Sequence, residues 1–239
     1  FGNVTIPVYT IMGHAAVSKD VLEDTSGMTA IASYLERQFA SAYYVFEDEQ
    51  FTVGNGVGGP QGILTNATTG GPYTFAYGSI ATVNSGSATA IPSGDAIINL
   101  PYGIDTQYRQ AGGMWLMSRG TKRVTRTLKA GDGTYLWADR NQQLREGEEQ
   151  KLEGFPISET EVLASPTTNS GAAYTAAVYP IIFITRGSYL IVDRASGMDV
   201  TRYDDSTTAK ANQIVLVLRR RVGGQVILPW GISTLKLSV

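Results

Sequence analysis

The sequence predicts an α+β fold, and three observations carry that reading. From Met28 to Phe46 apolar residues recur at spacings of three and four, the mark of a long amphipathic helix. Through the second half, short β-rich runs are bounded by Gly, Pro, Asn and Asp, as antiparallel strands are. No period of 20–50 residues is visible, so the chain is not a stack of repeats.

The elements follow in order. Residues 1–17 mix β-formers with Gly and Pro. Val4, Ile6, Val8 and Thr10 share a face at period two. This predicts an extended arm or edge strand, because Pro7 would break a central ladder. Ser18 is placed to N-cap a short turn through Asp24. The long helix is predicted over 27–50, with Thr25 and Ser26 as N-caps and Gly54 just past its end. Met28, Ile31, Leu35, Phe39, Ala42 and Phe46 form its apolar stripe. Glu36, Arg37, Gln38, Tyr44, Glu47 and Asp48 form its polar face. A long helix with one apolar stripe lies across a domain surface, leaving the polar face for solvent or another chain.

Residues 54–94 carry no charge and no sustained period, which predicts a long loop with a weak hairpin from Tyr73 to Val83. Ile97, Leu100, Ile104 and Tyr108 predict a helix over 95–111, with Pro101 tolerated in its first turn. MWLM at 114–117 reads as a buried strand. Arg119, Lys122, Arg123, Arg126 and Lys129 mark a basic helix over 119–129. Asp132-Gly133 is a turn signal. Residues 139–153 are charged with few apolar anchors, an exposed loop. Strands are predicted at 155–157, 161–163, 180–184 and 189–192. A closing hairpin pairs 213–222 with 225–230 around Gly223-Gly224, a pair suited to a primed turn.

Composition narrows the function. The chain has 239 residues, 43% apolar and 17% charged, too apolar for a disordered protein. Cysteine is absent, which removes disulfides, thiolate metal sites and Cys nucleophiles. His14 is the single histidine, too few for a multi-His metal centre. The net charge of −2 does not suit a protein that grips nucleic acid strongly. No apolar run approaches a membrane span. Phe1 is not an initiator Met and no signal peptide is readable, so a processed or truncated chain is expected.

The catalytic inventory is poor. GNGVGG at 54–59 matches the spacing of a dinucleotide fingerprint, but a helix precedes it, Pro60 follows it, and no acidic residue occurs between Glu49 and Asp95. It reads as a glycine turn. The acidic runs 47–49 and 146–149 lack the alternating ligands of a calcium loop. No G-x-S-x-G elbow accompanies His14. The Arg219-Arg220-Arg221 triplet places Arg219 and Arg221 on one strand face and Arg220 on the other. Phosphate contact, carboxylate pairing across a subunit interface and a solvated face are its three readings. Asn3-Val4-Thr5 and Asn66-Ala67-Thr68 match the glycosylation sequon, a triplet common by chance. No catalytic residue, cofactor or metal is expected. A long surface helix, long loops and an extended arm suit a protein that binds copies of itself.

Several segments, in order, resemble the tailed-phage major capsid protein family, the Hong Kong 97-type fold. Residues 21–64, VLEDTSGMTAIASYLERQFASAYYVFEDEQFTVGNGVGGPQGIL, resemble its spine helix and the turn after it. NLPYGIDTQYRQAGGMWLMSRGTKRVTRTLKAGDGTYLW (99–137) is similar to the opening of its axial domain. LEGFPISETEVL (152–163), ITRGSYLIVDRASGMDVTRYDD (184–205) and VLRRRVGGQVILPWGISTLKL (217–237) resemble later strands. The resemblance implies a Hong Kong 97-type capsid fold with a long spine helix, a peripheral domain and an axial domain. On it, 1–17 is the returning strand of the extended loop, and 18–95 the peripheral domain with spine helix and Gly-rich loop. Residues 96–195 form the axial domain, and 196–239 return to the peripheral domain with a C-terminal hairpin.

The resemblance further implies hexamers and pentamers closing an icosahedral head around double-stranded DNA. That head would be a virion capsid assembled in a bacterial host cytoplasm, with DNA held by weak non-specific contact and no membrane. Scaffold, protease, portal and cement proteins are the further partners it implies. Subunit-interface candidates are Glu36 and Arg37 on the helix, and Arg140, Arg145 and Glu146 in the charged loop near the capsomer axis. Asp204, Asp205 and Asn212 in the loop 203–212 near threefold contacts, with Arg219 and Arg221, complete the set. The family's N-terminal segment and the first strand of its extended loop have no counterpart here. Some members cross-link subunits through Lys, Asn and a catalytic Glu. Asn212 falls near the Asn position, but Arg219 stands where the Glu would be, so no self-made isopeptide bond is expected. A same-fold nanocompartment or gene-transfer particle is a close variant. A secreted β-rich binding module is the alternative from another class.

Overall fold

In the computed structural model, residues 4–24, 28–66, 79–87, 93–129, 133, 151–167, 174, 178–194, 197 and 199–238 are described. They divide into two compact units. The first comprises residues 1–62 and 191–225, the second 63–190 and 226–239.

The first unit sets a long helix on a four-stranded sheet. Strand β1 (Tyr9–Ser18) leads into α1 (Lys19–Asp24) and α2 (Met28–Val53). Strands β7 (Tyr189–Asp193) and β8 (Asp199–Tyr203), the short helix α6 (Ser206–Lys210) and the 14-residue strand β9 (Gln213–Val226) follow much later in the chain. β9 pairs antiparallel with β1 along one side and with β8 along the other, and β7 also joins it. β1 is an edge strand, as Pro7 predicts. Its ladder starts at Tyr9, however, so the odd residues from Tyr9 to Val17 turn inward and Thr10 is exposed.

The second unit is built on a six-stranded mixed sheet in the order β2-β10-β6-β3-β5-β4. Its strands are β2 (Ala81–Asn84), β3 (Gly113–Met117), β4 (Lys151–Leu152), β5 (Phe155–Glu159), β6 (Ile181–Thr185) and β10 (Ile232–Lys236). Both faces of β6 are covered, which explains the unbroken apolar run IIFI. One face packs Trp115, Met117, Ile181, Phe183 and Leu235 against α3 (Gly94–Tyr102). The other packs Ile182 and Ile232 with Ile63, Ile80 and Leu163. Trp115 meets the edge of Phe183 at 4.9 Å between ring centres, and its indole N–H donates to Leu152 O at 2.8 Å. Burying so large a ring is tolerable because its one polar atom is satisfied.

Several sequence expectations need correction, one being that the charged stretch 139–153, expected as a loop, ends in strand β4 at Lys151–Leu152. Gly223-Gly224 is not a hairpin turn: β9 runs through it. Neither glycine has positive φ, which a primed turn demands. Gly223 instead lets the arm pass, since a Cβ there would lie 2.3 Å from Pro7 O. The helix expected over 95–111 is two, α3 and α4 (Thr106–Arg109). Pro101 lies in the last turn of α3, not the first, and Gly103 N–H closes that turn on Asn99 and Leu100. Residues 161–163 form bends rather than a strand. The stretch 203–212 holds α6, and 199–203 is a strand.

The basic helix is α5 (Arg119–Arg126), capped by Ser118, whose side chain accepts from Thr121 N–H. Of the 73–83 hairpin, residues 81–84 pair in parallel with β10, and 67–78 lie outside the described residues. So do most of 130–150, including Arg140, Arg145 and Glu146, and the caps Thr25 and Ser26.

Candidate assembly surfaces

Helix α2 spans 26 residues, about 39 Å at 1.5 Å per residue. The sequence places its apolar stripe one residue too early. Leu35 and Phe39 are half-buried as expected, but the row continues through Tyr43, 7% exposed, and Glu47, while Ala42 and Phe46 are exposed. A packed row advancing by four explains the shift. Gly13 of β1 faces the Phe39 ring, and the Tyr43 hydroxyl donates to Leu218 O of β9 at 3.4 Å.

Glu47, placed on the polar face by the sequence pattern, is thereby carried against the sheet. It meets Arg220. The guanidinium binds Glu47 Oε1 at 2.9 Å and Asp193 Oδ2 at 2.6 Å, tying α2, β9 and β7 together. Burial pushes the Glu47 carboxyl above its ordinary range, Arg220 pulls it down, and Asp193 pushes it up. The Asp193 hydrogen bond is the main influence holding the Arg220 proton more tightly. Sequence reasoning missed this trio, although a signal existed. On β9 the buried residues Ile214, Leu218 and Val222 alternate, and Arg220 falls on their face.

The turn after α2 is the glycine motif at 54–59. Gly54 N–H closes the helix on Gln50 O, and Gly62 N–H returns to Gly54 O at 2.7 Å. Gly56 and Gly58 have φ of 75° and 74°, which glycine alone adopts at little cost. Tyr9 Oη donates to Gly56 O, and Gln61 N–H to Gly224 O. The motif is a structural turn that binds the helix end to β1 and β9.

Three predicted interface residues serve inside the subunit. Asp204 pairs with Lys19 at 3.1 Å. Asn212, with φ of 52°, donates to Asp20 Oδ1 at 2.8 Å, and its carbonyl accepts from Lys19 N–H. Asp205 accepts from Ser206 N–H at the start of α6. The Asp204 and Asn212 contacts hold the two flanks of α6 to α1. Asp204 and Asp205 remain exposed, as do Glu36, Arg37 and Arg219, while Arg221 is half-buried. On α2, Tyr34, Arg37, Ser41, Tyr44 and Asp48 are all exposed at spacings of three and four. They line one outward seam, in which Tyr34 is 60% and Tyr44 74% exposed.

Between α2 and β1 lies a groove of about 500 Å³ lined by Met12, Phe39, Tyr43, Phe46 and Pro60 among others. His14 and Tyr43 are its ionisable residues, which form no acid–base pair with a carboxylate. Among the described residues no cluster of three metal-binding side chains exists, and no helix is long and apolar enough to cross a membrane.

Comparison with known proteins decides among self-binding folds. The model of the phage capsid family matches residues 1–237. The chain belongs to the phage capsid family. Its fold is that of the Hong Kong 97-type capsids, and it is a structural component of a virion capsid. Among solved structures, the capsid of a native GTA particle matches with a TM-score of 0.85 and 28% identity, covering 99% of this chain and 74% of that one. The capsid of an empty GTA particle matches at 0.82 and 27%, with the same coverage. The encapsulin complex of Synechococcus elongatus PCC 7942 shares the fold, with a TM-score of 0.64 and 11% identity over 96% of this chain and 73% of that one. No curated protein matches.

Proposed function

We propose that this capsid protein assembles into hexamers and pentamers of an icosahedral shell that encloses double-stranded DNA, formed in a bacterial cytoplasm. The observation that carries this reading is the 28% identity and TM-score of 0.85 with the capsid of a native GTA particle over nearly the whole chain. In this proposal the peripheral domain (18–95 and 196–239) holds α2 and β9 and the axial domain (96–195) holds β3, β5 and β6; the compact units depart from those bounds in that 63–95 and 226–239 fall in the second unit. The outward seam of α2, with Glu36 and Arg37, meets a neighbouring subunit. Arg140, Arg145 and Glu146 approach the capsomer axis. Arg219 and Arg221 lie near a subunit boundary. Asp204, Asp205 and Asn212 contribute by fixing the 203–212 segment, which the Lys19 and Asp20 contacts support. No step of catalysis is assigned to the chain.

A gene-transfer particle is the second reading, favoured because the GTA capsids are 27–28% identical whereas the phage structures matched are 12–15% identical. The test is light scattering and negative-stain imaging of the full-length product. Uniform shells of megadalton mass support the proposal, and a clean monomer in the presence of its co-expressed neighbouring genes refutes it. Sequencing the enclosed DNA separates the readings: one replicon carrying this gene marks a phage head, and assorted host fragments a transfer particle.

A further inference from the structure

We propose that the face of the first unit's sheet turned away from α2 docks a carboxylate-bearing segment of a second copy of this chain, with Arg219 and Arg221 as its anion-binding residues. The inference rests on the shell-forming reading above and names the partner chemistry at that boundary.

Strand alternation defines the face. On β9, Arg220 meets Glu47 of α2, and Leu218 and Val222 are buried beside it. Val215, Val217, Arg219 and Arg221 therefore turn the other way. Residues directly opposite on neighbouring strands share a face. Thr10 stands across from Arg221, Met12 and Asp199 from Arg219, and Tyr203 from Val215. One end of the face is thus cationic and the other apolar. Met12 is 67% and Tyr203 51% exposed, and Val215 and Val217 are half-buried. An antiparallel sheet with a solvated face presents polar residues there. Valine, methionine and tyrosine are instead the pattern of a face that becomes covered.

The cationic end lacks an anion. Neither Arg219 nor Arg221 makes an ion pair or a side-chain hydrogen bond among the described residues. Asp199 lies opposite Arg219 on the ladder, yet no ion pair joins them. Arg221 Nε is buried with no acceptor. A buried charged donor left unpaired costs stability. Arg194 N–H bonds Arg221 O, which brings a third exposed arginine beside the pair. A local rule broken without local compensation points to a contact outside the subunit.

Three features favour a protein segment over DNA phosphates. The apolar end gains nothing from a phosphate and is buried by a polypeptide. Asp199, among the arginines, repels a polyanion but tolerates a segment carrying one acid. Gln225, on the same face of β9 by alternation, has a buried amide oxygen with no donor. A peptide N–H fills that need, and a phosphate diester has no proton to give. Pro7 and Val8 pass over Gly223, between Arg221 and Gln225, and supply neither with a partner. A second copy carries the complementary charge. The chain's net charge is −2 although this face is cationic, so the acidic excess lies elsewhere on it. Glu36, Glu49 and Glu161 are exposed and in no ion pair among the described residues. Arginine's fork takes a carboxylate in two parallel hydrogen bonds.

The test uses the absence of cysteine: T10C places a single thiol across from Arg221. Full-length T10C is labelled with a benzophenone maleimide, assembled and irradiated, and the adducts are mapped by mass spectrometry. The expected product is a covalent dimer of this chain whose joined peptide contains Glu or Asp. A dimer joined through a peptide without an acid overturns the proposal. So does an adduct only to DNA, only to another protein or only within one chain, and so does no adduct from assembled shells. R221M supplies a second readout. Methionine keeps an apolar stem and removes the unpaired donor, so the unassembled variant melts no lower than wild type. The concentration at which shells form rises about tenfold, the worth of one charge-assisted bond. A lower Tm makes Arg221 a structural residue and overturns the proposal, as does an unchanged assembly concentration. A wild type that forms no shells refutes the shell-forming reading and this inference with it, whereas wild-type shells with either readout failing refute the docking face alone.

Discussion

Replacing Arg220 with Met tests whether the trio holds the long helix to its sheet. Methionine keeps an apolar stem in place of the arginine methylenes and removes only the charge. Two ionic bonds are lost, and they differ in worth. Asp193 is 41% exposed, so its arm contributes about 0.2–1 kcal/mol. Glu47 is 12% exposed, and leaving it without its cation costs about 2 kcal/mol. The total is about 2–3 kcal/mol, or a fall in Tm of about 4–12 °C for a chain of this length.

The loss should also depend on pH. Burial raises the Glu47 carboxyl above its unfolded value. The folded protein therefore binds more protons than the unfolded chain, and stability falls as pH rises from the ordinary glutamate range through the raised value. Arg220 is the cation that lowers this carboxyl. Without it the window widens, so the deficit of R220M against wild type is smallest near about pH 4 and largest at about pH 7. Thermal melts followed by circular dichroism at both pH values measure it, with E47Q and the double mutant completing a cycle. A deficit equal at both pH values refutes the argument, as do single-mutant losses that add to within about 0.5 kcal/mol in the double mutant.

Three further outcomes are expected. Gly223→Ala pushes a methyl group into Pro7 O and lowers the urea midpoint by an amount equal to about 1–3 kcal/mol, whereas a neutral variant would mean the arm is not seated on β9. The double reversal E36K/R37E yields a folded subunit by circular dichroism that forms no shells, because both residues are exposed on α2 and carry no core role; normal shells would remove that face from the interface. Assembled shells run as a single band at the mass of one subunit on denaturing gels, since on the family resemblance Arg219 stands where a cross-linking Glu would be, and a covalent ladder would overturn this.

How much was legible in the sequence follows from what each signal measures. Periodicity finds a helix because burial repeats with the backbone, so α2 and α5 were readable, as was the doubly buried β6 run. It does not fix which residue centres the stripe. Ala42 and Phe46 are as apolar as the pattern wants, yet Tyr43 and Glu47 take the packed row, because tyrosine found an acceptor on β9 and Glu47 a cation. Glycine pairs are ambiguous for a similar reason. Gly-Gly permits a primed turn, and it equally permits close backbone approach, which only the position of Pro7 reveals. Among the site residues, exposure at Glu36, Arg37 and Arg219 was readable. The internal use of Asp204 and Asn212 depends on partners 185 and 192 residues away, which no local pattern encodes.

On the proposed reading, the seam on α2 joins subunits without a broad apolar surface. Tyr34, Arg37, Ser41, Tyr44 and Asp48 alternate aromatic and polar groups, so no broad apolar patch invites indiscriminate aggregation. Tyrosine and arginine are nevertheless the residues that concentrate energy at interfaces, because each joins a large contact area to a polar end. Covering a tyrosine that is 60–74% exposed removes roughly 100 Å² from water, about 2–3 kcal/mol before the cost of association. One such contact leaves subunits free to separate and correct errors. Repetition under closed symmetry makes the whole particle stable while each contact stays reversible. An obligate hydrophobic interface would tighten every contact and forfeit that correction. On the proposed reading, the mixed seam suits a protein that closes a shell from many identical, individually weak joins.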